Sequence, residues 1–113
     1  MALWHFMLNF ALMNILLIGS GGRESAIAWS LSQSPELGEL FIAPGNPGTL
    51  AYGNNVSVDW RQFVAMKDFC MNNRIDMVIV GPEEPLCKGL GDQFAADEDL
   101  ASILFIGPSA KGA

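Results

Sequence analysis

The chain has 113 residues, 50% of them apolar and 16% charged, with a formal net charge of −6. That length suits one compact domain with its own hydrophobic core, and the composition excludes disordered and collagen-like chains. Its lysines and arginines, Arg23, Arg61, Lys67, Arg74, Lys88 and Lys111, are scattered, so no basic stripe can neutralise a nucleic-acid backbone and nucleic acid is excluded as a partner.

Residues 1–12, MALWHFMLNFAL, are apolar except for His5 and Asn9. They carry neither a basic start nor a small-residue cleavage site, so they are not a signal peptide. His5, Asn9 and Asn14 interrupt the run, so it is not a membrane span either, and a soluble cytoplasmic protein is expected. Trp4, Phe6, Leu8 and Phe10 alternate as a strand would. Leu3, Met7 and Phe10 against His5 and Asn9 equally fit an amphipathic helix, and the pattern leaves both open.

Asn14-Ile15-Leu16-Leu17-Ile18 reads as a first strand buried on both faces, stopped by Gly19-Ser20-Gly21-Gly22-Arg23. A helix over 23–34 follows, with Ile27 and Leu31 one turn apart, Ala26 and Ala28 small enough for close packing, and Pro35 ending it. A second strand over 39–43 runs into the breaker-rich loop Pro44-Gly45-Asn46-Pro47-Gly48-Thr49. Val56-Ser57-Val58 is expected to be a brief strand, and Asp59 to cap a helix with Gln62 at capping-box spacing and Phe63, Met66 and Cys70 on the buried face.

Asp76-Met77-Val78-Ile79-Val80 is the next buried strand, and Gly81-Pro82-Glu83-Glu84-Pro85 its loop. Pro85 fits a first helical turn, and Leu86, Leu90 and Phe94 recur at helical spacing. Ile103-Leu104-Phe105-Ile106 closes the series against Gly107-Pro108-Ser109. This order predicts an α/β domain: a three-layer, Rossmann-like α/β/α sandwich around a mainly parallel sheet of four to five strands. Asp97-Glu98-Asp99 reads as a solvated turn rather than a metal site, because three consecutive carboxylates do not converge. Cys70 and Cys87 lack CxxC spacing and read as buried free thiols in a reducing cytosol, with no disulfide.

In such sheets the C-terminal strand ends form the ligand crevice, so the loops over 19–24, 44–49 and 81–85 should line one site. Glycines in the first loop let a ligand approach the backbone, and the following helix offers unpaired amides and a positive dipole end, which suits a phosphate. Arg23 either clamps that phosphate or pairs with a neighbouring carboxylate; both readings stand. Glu24 stabilises the helix dipole or bonds a ligand hydroxyl or amine, the first reading slightly favoured. Asn46 and Thr49 can meet a sugar or satisfy local backbone, and Glu83 or Glu84 can accept from ribose hydroxyls or stand exposed. A dinucleotide fingerprint is incomplete, since Glu24 stands where its third glycine belongs and Phe41-Ile42-Ala43-Pro44 lacks the ribose-binding acid. A Walker lysine is also missing.

Six stretches, NILLIGSGGRE, AW, QSP, IAPGNPGT, ID before VIVGPEEPL, and FIGPS, run in order over about residues 14–109. Together they resemble the N-terminal domain of phosphoribosylamine-glycine ligase (glycinamide ribonucleotide synthetase), of the ATP-grasp superfamily. The resemblance implies a ligase of de novo purine biosynthesis. ATP and Mg²⁺ activate glycine as an acyl phosphate, and the amine of 5-phosphoribosylamine attacks it. It implies a pre-ATP-grasp fold for residues 13–113, phosphoribosylamine as the small-molecule partner, and substrate-binding roles for Gly21, Gly22, Arg23, Glu24, Asn46, Thr49, Gly81 and Glu83.

The family's ATP and Mg²⁺ residues lie in a following ATP-grasp domain, and a C-terminal domain comes after it. This chain is therefore expected to be a fragment with no catalytic, metal or cofactor site of its own, inactive alone and a partner of the missing ATP-grasp domain. The family usually has His where Ser25 stands, so an imidazole contact is not available. Residues 1–12 match nothing in the family and are expected to be an extension that covers apolar surface, within one chain or by self-association. The alternative function is a stand-alone phosphosugar- or nucleotide-binding module, and a third is an oligomerising remnant.

Overall fold

The computed structural model describes residues 12–81 and 87–107, with side chains at 87 and 88 left out. The apolar run predicted as the first strand is β1, Met13–Gly19. Its lack of alternation has a direct cause: Leu16 and Ile18 enter one core and Ile15 and Leu17 the other, so every position is buried on one face or its opposite.

The elements after it are α1 (Gly22–Ser32), β2 (Leu37–Pro44), a short 3-10 turn (Thr49–Ala51), β3 (Asn54–Asn55), α2 (Phe63–Asn72), β4 (Met77–Val80), α3 (Cys87–Ala96) and β5 (Leu104–Ile106). All strand pairs are parallel, in the order β3-β2-β1-β4-β5. The expected α/β class and parallel sheet are present, with helices on both faces. The chain winds outward from β1 to β2 and β3, then crosses back to β4 on the other side of β1. The β1/β4 boundary is thus the place where the winding direction reverses.

On one face α1 buries Ala28 and half-buries Ile27 and Leu31 against Ile15, Leu17, Leu40 and Ile42. Ala26, expected to pack closely as well, is exposed because it lies off that stripe. On the other face Met66 and Cys70 of α2 and Leu90 and Phe94 of α3 meet Leu16, Ile18, Val78 and Val80. Phe63 completes the expected buried face of α2 and lies edge-on to Phe94, 6.2 Å between ring centres. Burial pushes the Cys70 thiol up to about 12, so it behaves as an apolar filler rather than a nucleophile. Cys87, Leu86 and Pro85 fall at or outside the limits of the described side chains.

At the N-terminal edge Asn14 ties three elements together. Its side-chain oxygen accepts from the Glu39 N–H at 2.9 Å and its own N–H donates to Asp76 at 2.8 Å. Its amide also donates to the carbonyls of Asn73 and Arg74.

Three local expectations are corrected. The third strand is Asn54–Asn55, not Val56-Ser57-Val58. The Val56 N–H makes the last rung to the Ile42 carbonyl at 2.8 Å, after which the chain runs unpaired while Val56 and Val58 pack on the core. Asp59 does not cap α2, whose N-cap is Gln62. The Asp59 carboxylate instead accepts from the Arg61 N–H and guanidinium, both at 3.0 Å, closing a turn that delays the helix by one turn. Finally α1 ends at Ser32, because the Ser34 N–H bonds Leu31 in a tightened last turn before Pro35.

The acidic run is not merely a solvated turn. Asp97 and Asp99 both reach the Lys67 ammonium, at 2.9 and 3.1 Å, and fasten α2 to the segment after α3. The hydrogen bond from Lys67 holds the Asp97 carboxyl below its ordinary 3.8, and the bonds to Asp97 and Asp99 raise Lys67 above 10.5. A carboxyl lowered in the folded state stabilises above its unfolded value and loses that contribution as pH falls through the folded one. The raised lysine is the mirror case, contributing below 10.5 and losing it as pH rises further. Lys67→Met should therefore lower the urea midpoint at neutral pH, with the difference from the parent shrinking in acid below 3.8. A difference constant across that range would contradict the pairing.

Candidate functional site

β1 delivers its last residue, Gly19, to the C-terminal edge with φ at +144°, a conformation that side chains with a Cβ rarely adopt. The chain then turns through Ser20 into Gly21, the N-cap of α1, which as glycine provides no side-chain cap. The first-turn amides of α1 stand at this edge and carry the positive end of the helix dipole. Gly22 and Arg23 are exposed at this end.

Glu24 does not point outward with them. It is 5% exposed and folds under the turn, so closely that a Cβ on Gly19 would collide with its carboxylate. The missing side chain of Gly19 is thus what makes room for Glu24. One carboxylate oxygen, Oε2, is buried without any hydrogen-bond partner among the described residues. A buried acceptor left unpaired is costly, commonly by about 1–3 kcal/mol or more for a charged group, so such atoms call for a donor. Glu24 also lies in the first turn of α1, where a carboxylate complements the positive end of the helix dipole.

The second loop begins at the cis Ala43–Pro44 bond and is latched to the first by Asn46. The Asn46 amide NH2 donates to the Ser20 carbonyl at 2.9 Å, the Gly21 carbonyl at 3.2 Å and the Ser25 hydroxyl at 3.0 Å. Its side-chain oxygen accepts from the N–H groups of Gly48 at 2.7 Å and Thr49 at 3.1 Å. Backbone pairing of the Gly45 N–H with the Gly19 carbonyl, 3.0 Å, adds to the latch. Thr49 is completely buried, its hydroxyl donating to the Asn55 side chain at 2.6 Å and accepting from the Asn46 N–H at 2.9 Å. Asn55 returns a bond to the Asn46 carbonyl at 2.8 Å.

The structure therefore brings Gly21, Gly22, Arg23, Glu24 and Asn46 to one edge of the sheet, with Thr49 beneath them as a fixed support. Gly81 directly follows β4 beside this edge, buried, its N–H facing the Ile18 carbonyl at 3.4 Å. Glu83 lies outside the described residues. Sequence reading missed Ser25 and Asn55. Ser25 lacks the imidazole usual at its position, yet its hydroxyl joins the Asn46 latch; Asn55 follows a glycine and another asparagine, and that pairing is the available signal. Among the described residues no group of three or more His, Cys, Asp or Glu gathers to hold a metal, and no helix is long and apolar enough to cross a membrane.

Residues 13–113 match the family model described as "Phosphoribosylglycinamide synthetase, N domain". The chain belongs to this family. As a synthetase N domain it is similar to the phosphoribosylamine–glycine ligase of Rhizobium meliloti strain 1021, with 48% identity over 101 residues covering 89% of this chain and 23% of that protein. It is 45% identical over 103 residues to the Escherichia coli K12 protein of the same name, with the same coverage of both. It is also 44% identical over 101 residues to the trifunctional purine biosynthetic protein adenosine-3 of Gallus gallus, covering 88% of this chain and 10% of that protein. The chain thus spans about a quarter of the ligases it matches. Within this synthetase N domain the family match begins at Met13, the first residue of β1.

Proposed function

We propose that this domain provides the phosphoribosylamine-binding wall of an ATP-dependent phosphoribosylamine–glycine ligase acting in cytoplasmic purine synthesis. The buried, unpartnered Glu24 oxygen beside the uncapped N-terminus of α1 carries the reading. A phosphosugar offers complementary groups to both: its phosphate suits the first-turn amides and Arg23, and its hydroxyls or amine supply the donor that Glu24 lacks. Asn46 holds the two loops at a fixed separation, Thr49 supports that loop from below, and Gly21 and Gly22 keep the approach to the amides open. Gly81 is assigned to the opposite wall, across the β1/β4 boundary where open α/β sheets bind ligands, and Glu83 keeps the substrate-binding role that the family resemblance implies.

The ligase chemistry itself is assigned to the part of the relatives outside the matched region. ATP with Mg²⁺ would there convert glycine to an acyl phosphate, and no residue described here is given a catalytic, metal or ATP contact. On this reading the domain binds and orients the sugar and is inactive alone, with the ATP-grasp domain as its partner.

Isothermal titration of the folded domain with ribose 5-phosphate tests the proposal. Binding is expected, and Arg23→Ala and Glu24→Gln should each weaken it about tenfold, the loss of one charge-assisted hydrogen bond. Absence of heat at millimolar ligand, with native circular dichroism, would overturn it.

A further inference from the structure

The ladder between β2 and β3 stops early, and residue type gives the reason. Phe41 stands beside Asn54 and Ile42 beside Asn55, so in the same register Ala43 would face Val56 and Pro44 would face Ser57. The Val56 N–H still bonds the Ile42 carbonyl at 2.8 Å. In a parallel pair the Val56 carbonyl would next accept from the N–H of residue 44, and a proline has none. That carbonyl loses its ladder donor, and the two chains part.

A hollow of about 280 Å³ opens where they part, lined by Pro44, Ser57, Val58, Asp59, Trp60 and Arg61. It is near the ~300 Å³ at which small-molecule sites begin. Pro44, Val58 and Trp60 make its wall apolar, and Val58 and Trp60 are anchored by packing on the core. Part of that wall is flat, because the Arg61 guanidinium stands over the Trp60 indole, 5.9 Å from the ring centre. The Asp59 carboxylate holds the guanidinium at 3.0 Å and offsets its charge. Trp60 and Arg61 also border a second hollow of about 230 Å³ with Gly89, Leu90 and Gln93, so the described residues do not close around the pair.

A wall that is flat, apolar and without net charge suits a neutral planar ring better than a phosphate. Nucleobases stack on aromatic side chains through their π-faces, and a guanidinium stacks in the same way. The rim is polar, with the Ser57 hydroxyl and the backbone groups freed from the ladder. An amino group on the ring would return to the Val56 carbonyl the donor that Pro44 withholds.

We propose that the hollow between Pro44 and residues 57–61 binds an amino-substituted heteroaromatic ring of the nucleobase class, stacked against Trp60 and Arg61 with its amino group toward the Val56 carbonyl. Pro44 lies beside Gly19 in the sheet, so this hollow is one strand away from the glycine turn. It shares no residue with the sugar-phosphate site and does not rest on that reading.

The test is a nuclear magnetic resonance titration of the nitrogen-labelled full chain with adenosine, which carries the ring and the amino group but no phosphate. Saturable shifts are expected at the Ser57, Val58 and Trp60 amides and the Trp60 indole N–H, with nuclear Overhauser contacts from the adenine protons to the Trp60 ring. Ribose 5-phosphate, which has no base, should leave these signals in place. Trp60→Leu keeps an apolar group on the core and should weaken adenosine roughly tenfold. Purine riboside, adenosine without its amino group, should bind the unchanged protein several-fold more weakly. The contacts and the purine riboside comparison need no variant, so they decide the matter even if Trp60→Leu does not fold. Signals of 57–60 unmoved at millimolar adenosine, a folded Trp60→Leu chain of undiminished affinity, or purine riboside binding as tightly as adenosine would each overturn the proposal.

Discussion

Alanine at Gly19 is expected to cost the domain about 3 kcal/mol, combining a backbone conformation that disfavours a Cβ with overpacking against a buried side chain. Gly19 sits at φ +144°, and its added methyl would meet the Glu24 carboxylate. Globular domains have about 5–15 kcal/mol in total, so the loss should be plain in a urea melt. The two causes are separable. In Gly19→Ala/Glu24→Ala the collision is gone and only the backbone strain remains, so roughly half of the loss should return relative to Glu24→Ala alone. Simple additivity of the two substitutions would show that Glu24 does not lie under the turn.

Asn46→Ala should be nearly as severe, about 2–4 kcal/mol, because several backbone groups lose their partner at once. The Gly48 amide and the Ser20 and Gly21 carbonyls have this side chain as partner, while the Thr49 amide keeps a second bond to the Asn46 backbone carbonyl. Affinity for ribose 5-phosphate should fall further than stability alone explains, since the two loops would no longer hold their separation. Asn46→Asp is the informative control: it keeps the acceptor for Gly48 and Thr49 but loses the donor to Ser20 and Gly21. An affinity unchanged in both variants would remove Asn46 from the site.

The sequence made the large elements legible because β1, β4 and the buried faces of α2 and α3 carry their cause in residue type alone. A run such as Ile15-Leu16-Leu17-Ile18 has one plausible home, a strand between two cores. The short features were less legible. Asp59 and Gln62 have capping-box spacing, yet the Asp59 carboxylate found the Arg61 amide two residues on, a competition decided by local turn geometry. Asn54–Asn55 became a strand for lack of any alternative: the register with Phe41 and Ile42 set it, and Val56 and Val58 had more to gain from the core than from a further rung.

In the first loop the glycine turn was readable and the burial of Glu24 was not. Its residue type fits a helix dipole as well as a buried acceptor. Its burial depends on the space that Gly19 leaves, which is set by how α1 departs from β1. Thr49 shows the reverse: a hydroxyl among turn formers suited a ligand contact, and the structure spends it on Asn46 and Asn55.

The anchoring of Asn14 bears on the order in which this molecule can assemble. Its bond to Glu39 closes a loop of 25 residues, whereas its bond to Asp76 closes one of 62. Shorter closures cost less chain entropy and contacts near in sequence form sooner, so β1, α1 and β2 can gather before β4 arrives. The glycine turn, Glu24 and Asn46 all belong to that early unit. Gly81 waits for the longer search, so the β1/β4 boundary exists only once the last central strand has docked.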